Sequence, residues 1–120
     1  MSPGGGPSAF AERVLAVVER IPAGMVMSYG DIAEYLGESS ARAVGQVLFR
    51  YGAAVPWHRV VMASGAPAPG KEAPQLARLV ADGTPLNRSG SRVAMVAARW
   101  DGRASPARPE MSEPRGAMNS

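Results

Sequence analysis

Two short helical patterns joined by a glycine turn are the feature that most limits how this chain can fold. In the first, Ser28 can cap a helix, Asp31 can complete a capping box, and the pattern stops at Gly37. After the turn, Ser39 or Ser40 can cap a second helix, ARAVGQVLFRY. Its residues available for a core are Val44, Val47, Leu48 and Tyr51. The order helix, tight turn, helix is that of a helix-turn-helix, although an ordinary helical hairpin gives the same pattern more often.

Apolar spacing predicts further helices on both sides of this pair. One runs from Phe10 to Ile21 and is ended by Pro22 and Gly24. The last runs from Glu72 to Asp82, with Gly83 as its stop. Its apolar positions are Leu76, Leu79 and Val80. The loop 62–71 precedes this helix, and residues 92–97 are expected to form a strand or extended segment that closes at Trp100.

These elements predict one domain that is mainly α with a little β. It covers residues 8–102, and the glycine-, proline- and serine-rich tails 1–7 and 103–120 are expected to be disordered. The N-terminus lacks the pattern of a signal peptide, and no apolar run approaches the roughly 18 residues of a membrane span. We therefore expect a soluble, cytoplasmic protein without membrane contact.

The chain has no cysteine and one histidine. Disulfides, thiolate metal sites and a thiol nucleophile are excluded, and a site of several histidines cannot form within one chain. We predict neither a metal nor a cofactor.

Positive charge is concentrated in the middle of the chain, and the net charge is +3. No Asp or Glu occurs between Ser39 and Lys71, whereas Arg42, Arg50 and Arg59 lie there. A segment without acids suits a surface that faces a polyanion, because a carboxylate would repel phosphate. A chance gap in an alanine-rich chain is the competing interpretation.

The second helix of the pair has small and polar residues one turn apart: Ala41 with Gly45, and Arg42 with Gln46. A glycine inside a helix costs about 1 kcal/mol relative to alanine, which indicates that something approaches closely. Another helix could be that neighbour. The alternative is a DNA minor groove, which is only about 6 Å wide and admits a helix through small side chains.

The stretch VPWHRVV, residues 55–61, completes a specific order of motifs: IPAGMVMSYGDIAEYLG, SSARAVGQVLFR, VPWHRVV, and a helix ending in a carboxylate before glycine. Over roughly residues 10–83 this order resembles the C-terminal, DNA-binding domain of the O6-alkylguanine-DNA alkyltransferases, which implies a winged-helix-like domain with a helix-turn-helix. In that family the turn reads Pro-Cys-His-Arg-Val, and its cysteine accepts the alkyl group. Trp57 at that place resembles the alkyltransferase-like proteins. Since alkyl transfer needs a thiolate, we expect no enzymatic activity.

The resemblance implies roles for individual residues. It implies that Tyr29 rotates the damaged nucleotide, that Arg42 fills the gap in the base stack, and that Trp57 forms a wall of the lesion pocket. The pocket residues it implies are Tyr29, Pro56, Trp57, His58, Val60, Ser64 and Gly65. The DNA-binding residues are Tyr29, Ala41, Arg42, Gly45, Gln46 and Lys71. The remnant of the enzymes' proton relay comprises His58, Arg59 and Asp82.

The resemblance therefore implies a monomeric protein that recognises O6-alkylguanine in double-stranded DNA by base flipping. It further implies that nucleotide excision repair proteins are partners. A helix-turn-helix regulator that reads an undamaged operator is the alternative. An enzyme that uses His58 as a base, with Asp82 as the available second group, is a more remote one.

Overall fold

A computed structural model describes residues 7–103, so the expected tails 1–7 and 103–120 lie outside the described residues except for Pro7 and Arg103. The first helix, α1, spans Ala9–Arg20 and begins where the Ser8 side chain accepts a hydrogen bond from the Ala11 amide. It buries one apolar stripe formed by Ala11, Val14, Val17 and Val18. The helix ends at Arg20, and its C-cap residue Ile21 precedes the proline predicted to stop it.

The predicted helix-turn-helix is present as α2, Tyr29–Tyr35, and α3, Ala41–Tyr51. The capping box at Ser28 forms fully: Ser28 Oγ accepts from the Asp31 amide at 3.0 Å, and the Asp31 carboxylate accepts from the Ser28 amide at 3.0 Å. In the turn, Gly37 has φ of 75°, a left-handed conformation that favours glycine. Ser40 caps α3 through the Ala43 amide.

A small parallel sheet joins this motif to the PWHR turn. Strand β1, Met27–Ser28, pairs with β2, Val60–Val61, with Met27 opposite Val60. Two 3₁₀ turns, Gly52–Ala54 and Trp57–Arg59, carry the chain from α3 into β2. The turn containing Trp57 leads directly into β2, and because the strands are parallel the start of α2 lies beside the residue that follows β2, Met62. The fold is thus mainly α with a little β, which confirms the predicted class.

The last predicted helix is α4, Glu72–Asp82, and it ends at Gly83, whose φ is 79°. Its buried face differs from the prediction. Gln75 and Leu79 are fully buried, whereas Val80 is 62% exposed. The contact face is centred on positions 75 and 79 because the amide of Gln75 bonds to the backbone that α4 covers.

The strand expected at residues 92–97 is wrong. Val93 makes an isolated antiparallel bridge to Leu86, and the chain then forms a helical turn, α5, at Met95–Ala98. Methionine and alanine are good helix formers, and the turn redirects the chain so that Arg99 can bridge to Val26. Trp100 closes the core as expected and is 4% exposed.

The core has two parts that share the small sheet. The larger lies between α1, α2 and α3 and includes Trp100. The smaller holds α4 and α5 against the sheet through Val61, Leu79 and Ala98. Among residues 7–103, no helix is long and apolar enough to cross a membrane.

Candidate nucleic-acid interface

One face of α3 borders an open groove of about 740 Å³. The helix contributes residues one turn apart, which are exposed or half-buried and therefore accessible from outside. Residues from α2 and from the loop before α4 form the opposite side. The lining residues are Tyr29, Ala41, Arg42, Gly45, Gln46, Phe49, Arg50, Met62 and Pro69. The structure thus brings five of the predicted DNA-binding residues to one groove.

The groove is positively charged, because its lining includes Arg42 and Arg50 but no carboxylate. Both arginines are exposed, and neither forms an ion pair within residues 7–103. By contrast, Arg59 and Arg99 are each paired with an aspartate elsewhere in the domain. Unpaired guanidinium groups beside an acid-free groove are suited to contacting phosphate.

Tyr29 and Gly45 form the floor of this groove. A Cβ added to Gly45 would meet only the Tyr29 ring, 3.9 Å from its Cδ1, which is ordinary van der Waals contact. Packing within the domain therefore does not require glycine at position 45. The close approach of a binding partner to α3 would explain why glycine is there. Burial raises the pKa of the Tyr29 phenol further above physiological pH, and the protonated hydroxyl can donate a hydrogen bond to a phosphate oxygen.

Replacing Gly45 with alanine is expected to increase the stability of the fold and to weaken DNA binding. The free energy of unfolding should rise by about 1 kcal/mol, because alanine is the better helix former and meets no obstacle. The affinity for duplex DNA should fall, since the added methyl group holds the helix away from the groove. Chemical denaturation and a DNA titration on the same variant test both effects. Unchanged DNA affinity would contradict a close approach at Gly45.

A second cavity, of about 370 Å³, continues from the groove to the PWHR turn. It shares Tyr29, Gly45, Phe49 and Pro69 with the groove. Its remaining lining is Leu48, Gly52, Ala53, Trp57, Ala68 and Lys71. A volume of this size lies within the range of small-molecule sites, and its walls are mostly apolar. The half-buried Trp57 ring is its largest flat surface.

Asp82 holds the turn behind this cavity. Its Oδ2 atom lies 2.9 Å from His58 Nε2 and accepts a hydrogen bond from Arg59 Nε at 2.8 Å. Arg59 also donates to Asp82 Oδ1 at 3.2 Å and to the Ile21 carbonyl at 3.0 Å. The guanidinium hydrogen bonds hold the pKa of the Asp82 carboxyl below its usual value, and His58 acts in the same direction. The three predicted relay residues are therefore together, as a structural ion-pair cluster.

Gln75 is a second support of the turn and was not among the predicted site residues. Its amide nitrogen donates to the carbonyls of His58 and Val60, and its side-chain oxygen accepts from the Ala68 amide at 2.7 Å. A single buried side chain thus ties the PWHR turn to the loop that borders the cavity. Its position one turn before Leu79, on the buried stripe of α4, is the signal that could have identified it.

Several residues predicted for the lesion pocket do not line the cavity. His58 and Val60 are buried, and Val60 belongs to the sheet. Gly65 has φ of 90° and packs against the Val93 carbonyl, where an added Cβ would overlap it. Ser64 accepts a hydrogen bond from the Ala66 amide. Pro56 caps the 3₁₀ turn. None of these five lines the cavity, so their contact with a base stays a prediction.

Phe49 lines the groove but was not among the predicted site residues, which is also true of Arg50, Met62 and Pro69. Phe49 is 92% exposed and lines both the groove and the cavity. Large exposed aromatic rings commonly mark recognition surfaces. Its spacing of four residues from Gly45 places it on the same helical face, and that periodicity was the available signal.

The model of the 6-O-methylguanine DNA methyltransferase DNA-binding domain matches residues 9–83. The chain belongs to this family. The resemblance inferred from the sequence is confirmed, and residues 9–83 of this methyltransferase-family domain include α1–α4, the groove and the turn at Trp57.

Similar proteins include members that are named for binding rather than transfer. The chain is 38% identical over 100 residues to a DNA base-flipping protein of Escherichia coli, across 78% of this chain and 75% of that relative. Its fold matches Atl1 of Schizosaccharomyces pombe, solved in complex with damaged DNA containing O6-carboxymethylguanine, with a TM-score of 0.67 and 33% identity. That match covers 76% of this chain and 94% of the other.

The fold also matches an O6-methylguanine methyltransferase of Mycobacterium tuberculosis, with a TM-score of 0.56 and 31% identity over 70% of this chain and 55% of that one. This family domain thus occurs in both enzymes and alkyltransferase-like proteins.

Proposed function

We propose that this protein recognises O6-alkylguanine in duplex DNA by flipping the damaged base into the cavity at Trp57. The continuity of the α3 groove with that cavity carries the proposal. A helix face without acidic residues can dock on the phosphate backbone, and the adjoining apolar pocket can receive an extruded base. The relatives named for base flipping and the Atl1 complex with damaged DNA support the same function.

Each part of the interface has a physical role in this mechanism. Arg50 is an unpaired cation that contacts phosphate, and the small residues Ala41 and Gly45 let α3 approach a minor groove. Extruding a base costs a few kcal/mol. The neutral Tyr29 hydroxyl donates to a phosphate beside the lesion, and the Arg42 guanidinium occupies the space that the base leaves. Stacking on Trp57 then stabilises the extruded base.

We propose that recognition occurs without alkyl transfer. The chain contains no cysteine, and the resemblance of its Pro-Trp-His-Arg-Val turn to the enzymes' Pro-Cys-His-Arg-Val implies that Trp57 takes the place of the acceptor cysteine. Histidine 58 is 7% exposed and already contacts Asp82, which in turn binds Arg59. This arrangement favours a supporting role for His58 over that of a base acting on a substrate.

Replacing Arg42 with alanine tests the flipping step. The matched control is Arg92→Ala, because Arg92 is an exposed arginine that lines neither cavity. A duplex with 2-aminopurine beside O6-methylguanine should fluoresce more strongly when the protein unstacks the lesion. We expect Arg42→Ala to weaken lesion binding by about tenfold and to reduce this fluorescence increase, since the gap in the stack stays unfilled. Wild-type behaviour of Arg42→Ala would refute its role in the stack.

We further propose that the protein acts as a monomer in the cytoplasm and that the stable complex directs the lesion to nucleotide excision repair. A pull-down of excision proteins that requires both protein and O6-methylguanine DNA would support this hand-off. Capture that is independent of the lesion would count against it. The regulator alternative predicts equal affinity for damaged and undamaged duplexes of the same sequence.

A further inference from the structure

Two cationic side chains lie close to the Trp57 ring at the cavity. The Arg78 guanidinium carbon lies 5.6 Å from the ring centroid, and the Lys71 ammonium nitrogen lies 6.0 Å from it. Lys71 lines the cavity, whereas Arg78 reaches the ring from α4. Both distances fall within the range of cation–π contact, so the cavity has a positive side at its largest aromatic surface.

Neither charge is neutralised within the described part of the domain. Lys71 and Arg78 are both exposed, and neither forms an ion pair with another residue in the range 7–103. The carboxylates of α4 have other partners: Glu72 accepts from the Gly70 amide at 3.2 Å, and Asp82 binds His58 and Arg59. The cavity lining itself contains no acid. An anion at the Trp57 ring would therefore meet the Lys71 ammonium inside the cavity and the Arg78 guanidinium beside the ring, with no carboxylate among the lining residues.

We propose that Arg78, together with Lys71, makes the Trp57 cavity selective for O6-alkylguanines whose substituent ends in a carboxylate. A carboxyalkyl group that lies along the indole ring would bring its two oxygens toward the planar guanidinium of Arg78, which can bind them in a bidentate manner. A neutral substituent of equal size makes the same apolar contact with Trp57 but lacks the charged one. This inference rests on the proposed function, since it specifies which lesions the cavity prefers.

Binding of DNA phosphate is the competing role for these two cations. A phosphate contact would strengthen the binding of every duplex by the same factor, because phosphates are present whatever the lesion. Selection of a carboxylate would instead change the ratio between two lesions on one duplex sequence. The two roles are therefore distinguished by the ratio of the affinities for two lesions on one duplex sequence, rather than by the affinity for either lesion alone.

The test compares duplexes of one sequence that carry O6-methylguanine, O6-carboxymethylguanine or O6-carbamoylmethylguanine. The last two lesions have nearly the same size and differ in charge. We expect the full-length protein to bind the carboxymethyl lesion about fivefold more tightly than the carbamoylmethyl lesion, a typical gain for partly exposed ion pairs. Arg78→Gln and Lys71→Gln should each lower this ratio toward one, and added salt should lower it too.

Arg88→Gln is the control, because Arg88 is exposed and lines neither cavity. Its ratio should equal that of the wild type, and thermal unfolding checks that every variant is folded. A wild-type ratio of one, or an equal loss of affinity for all duplexes in Arg78→Gln, would overturn the inference. If O6-methylguanine still binds more tightly than guanine in those cases, the proposed function stands and only the charge selectivity fails.

Discussion

Replacing Trp57 with alanine is expected to remove most of the preference for damaged DNA while leaving binding to undamaged DNA near its original strength. The indole ring is the largest flat wall of the cavity, and stacking of a base on an aromatic side chain contributes about 1–3 kcal/mol. The affinity for the lesion duplex should therefore fall by roughly ten- to hundredfold. The contact of Arg50 with phosphate does not depend on Trp57, so the salt dependence of binding should persist.

Trp57→Phe is the matched variant, since it keeps an aromatic face of smaller area. It should retain an intermediate preference for O6-methylguanine over guanine. Titration of both variants with damaged and undamaged duplexes at two salt concentrations measures the two contributions separately. A Trp57→Ala protein that kept the wild-type preference would show that the lesion is recognised elsewhere.

Replacing Asp82 with asparagine is expected to have the largest effect on stability. The Asp82 side chain is 15% exposed and that of Arg59 is 19% exposed, so the substitution leaves a nearly buried guanidinium without its counter-charge. Removing one partner of a buried ion pair lowers the free energy of unfolding by about 3–5 kcal/mol. Because Asp82 and Arg59 keep some exposure to solvent, we expect a loss of about 3 kcal/mol, at the lower end of this range. Chemical denaturation at neutral pH measures the loss. Asp101→Asn is the control, because Asp101 and Arg103 are both highly exposed.

The same substitution should change how stability depends on pH. Hydrogen bonds from Arg59 and His58 lower the pKa of the Asp82 carboxyl in the folded protein. The unfolded chain therefore binds a proton more readily, and the stabilisation is complete above the unfolded pKa of about 4. It is lost as the pH falls through the lower pKa of the folded state. Asp82→Asn should lack this part of the acid-induced loss of stability.

Asp31 provides a second, separate acid-sensitive contribution. Burial tends to raise the pKa of its carboxyl, but hydrogen bonds from Arg99 and Ser28 outweigh burial and lower it. The Asp82→Asn protein should therefore still lose some stability in acid, with a shallower slope than the wild type. Free energies of unfolding measured from about pH 6 to about pH 3 would show this difference. Parallel curves for the two proteins would contradict the role assigned to Asp82.

The helices that the sequence predicted well are those whose ends carry local signals. Ser28 with Asp31 defined the start of α2, Ser40 was one of the two predicted caps of α3, and Gly83 ended α4 where expected. Capping depends on side chains within three or four residues, so it can be read from one short stretch. The segment at 92–97 carried no such signal. Its helical turn depends on the bridges that Val93 forms with Leu86 and that Arg99 forms with the distant Val26.

The residues of the candidate site also divide into those that could be predicted from the sequence and those whose role depends on the rest of the fold. Tyr29, Gly45, Trp57 and Lys71 were predicted and line the cavity. Phe49 and Gln75 were missed because their roles depend on which helical face the rest of the fold covers. Phe49 is left uncovered on α3, whereas Gln75 is enclosed between α4 and the turn. Neither outcome can be derived from residue type, since phenylalanine is usually buried and glutamine usually exposed.

The most direct test is an equilibrium titration of the unmodified protein with two duplexes of one sequence, which differ only in guanine or O6-methylguanine at a single position. The flipping mechanism predicts tighter binding of the O6-methylguanine duplex, by about tenfold or more, because the extruded base gains its contacts with Trp57. The difference should remain when salt weakens both complexes. Equal affinities for the two duplexes would contradict recognition of the lesion.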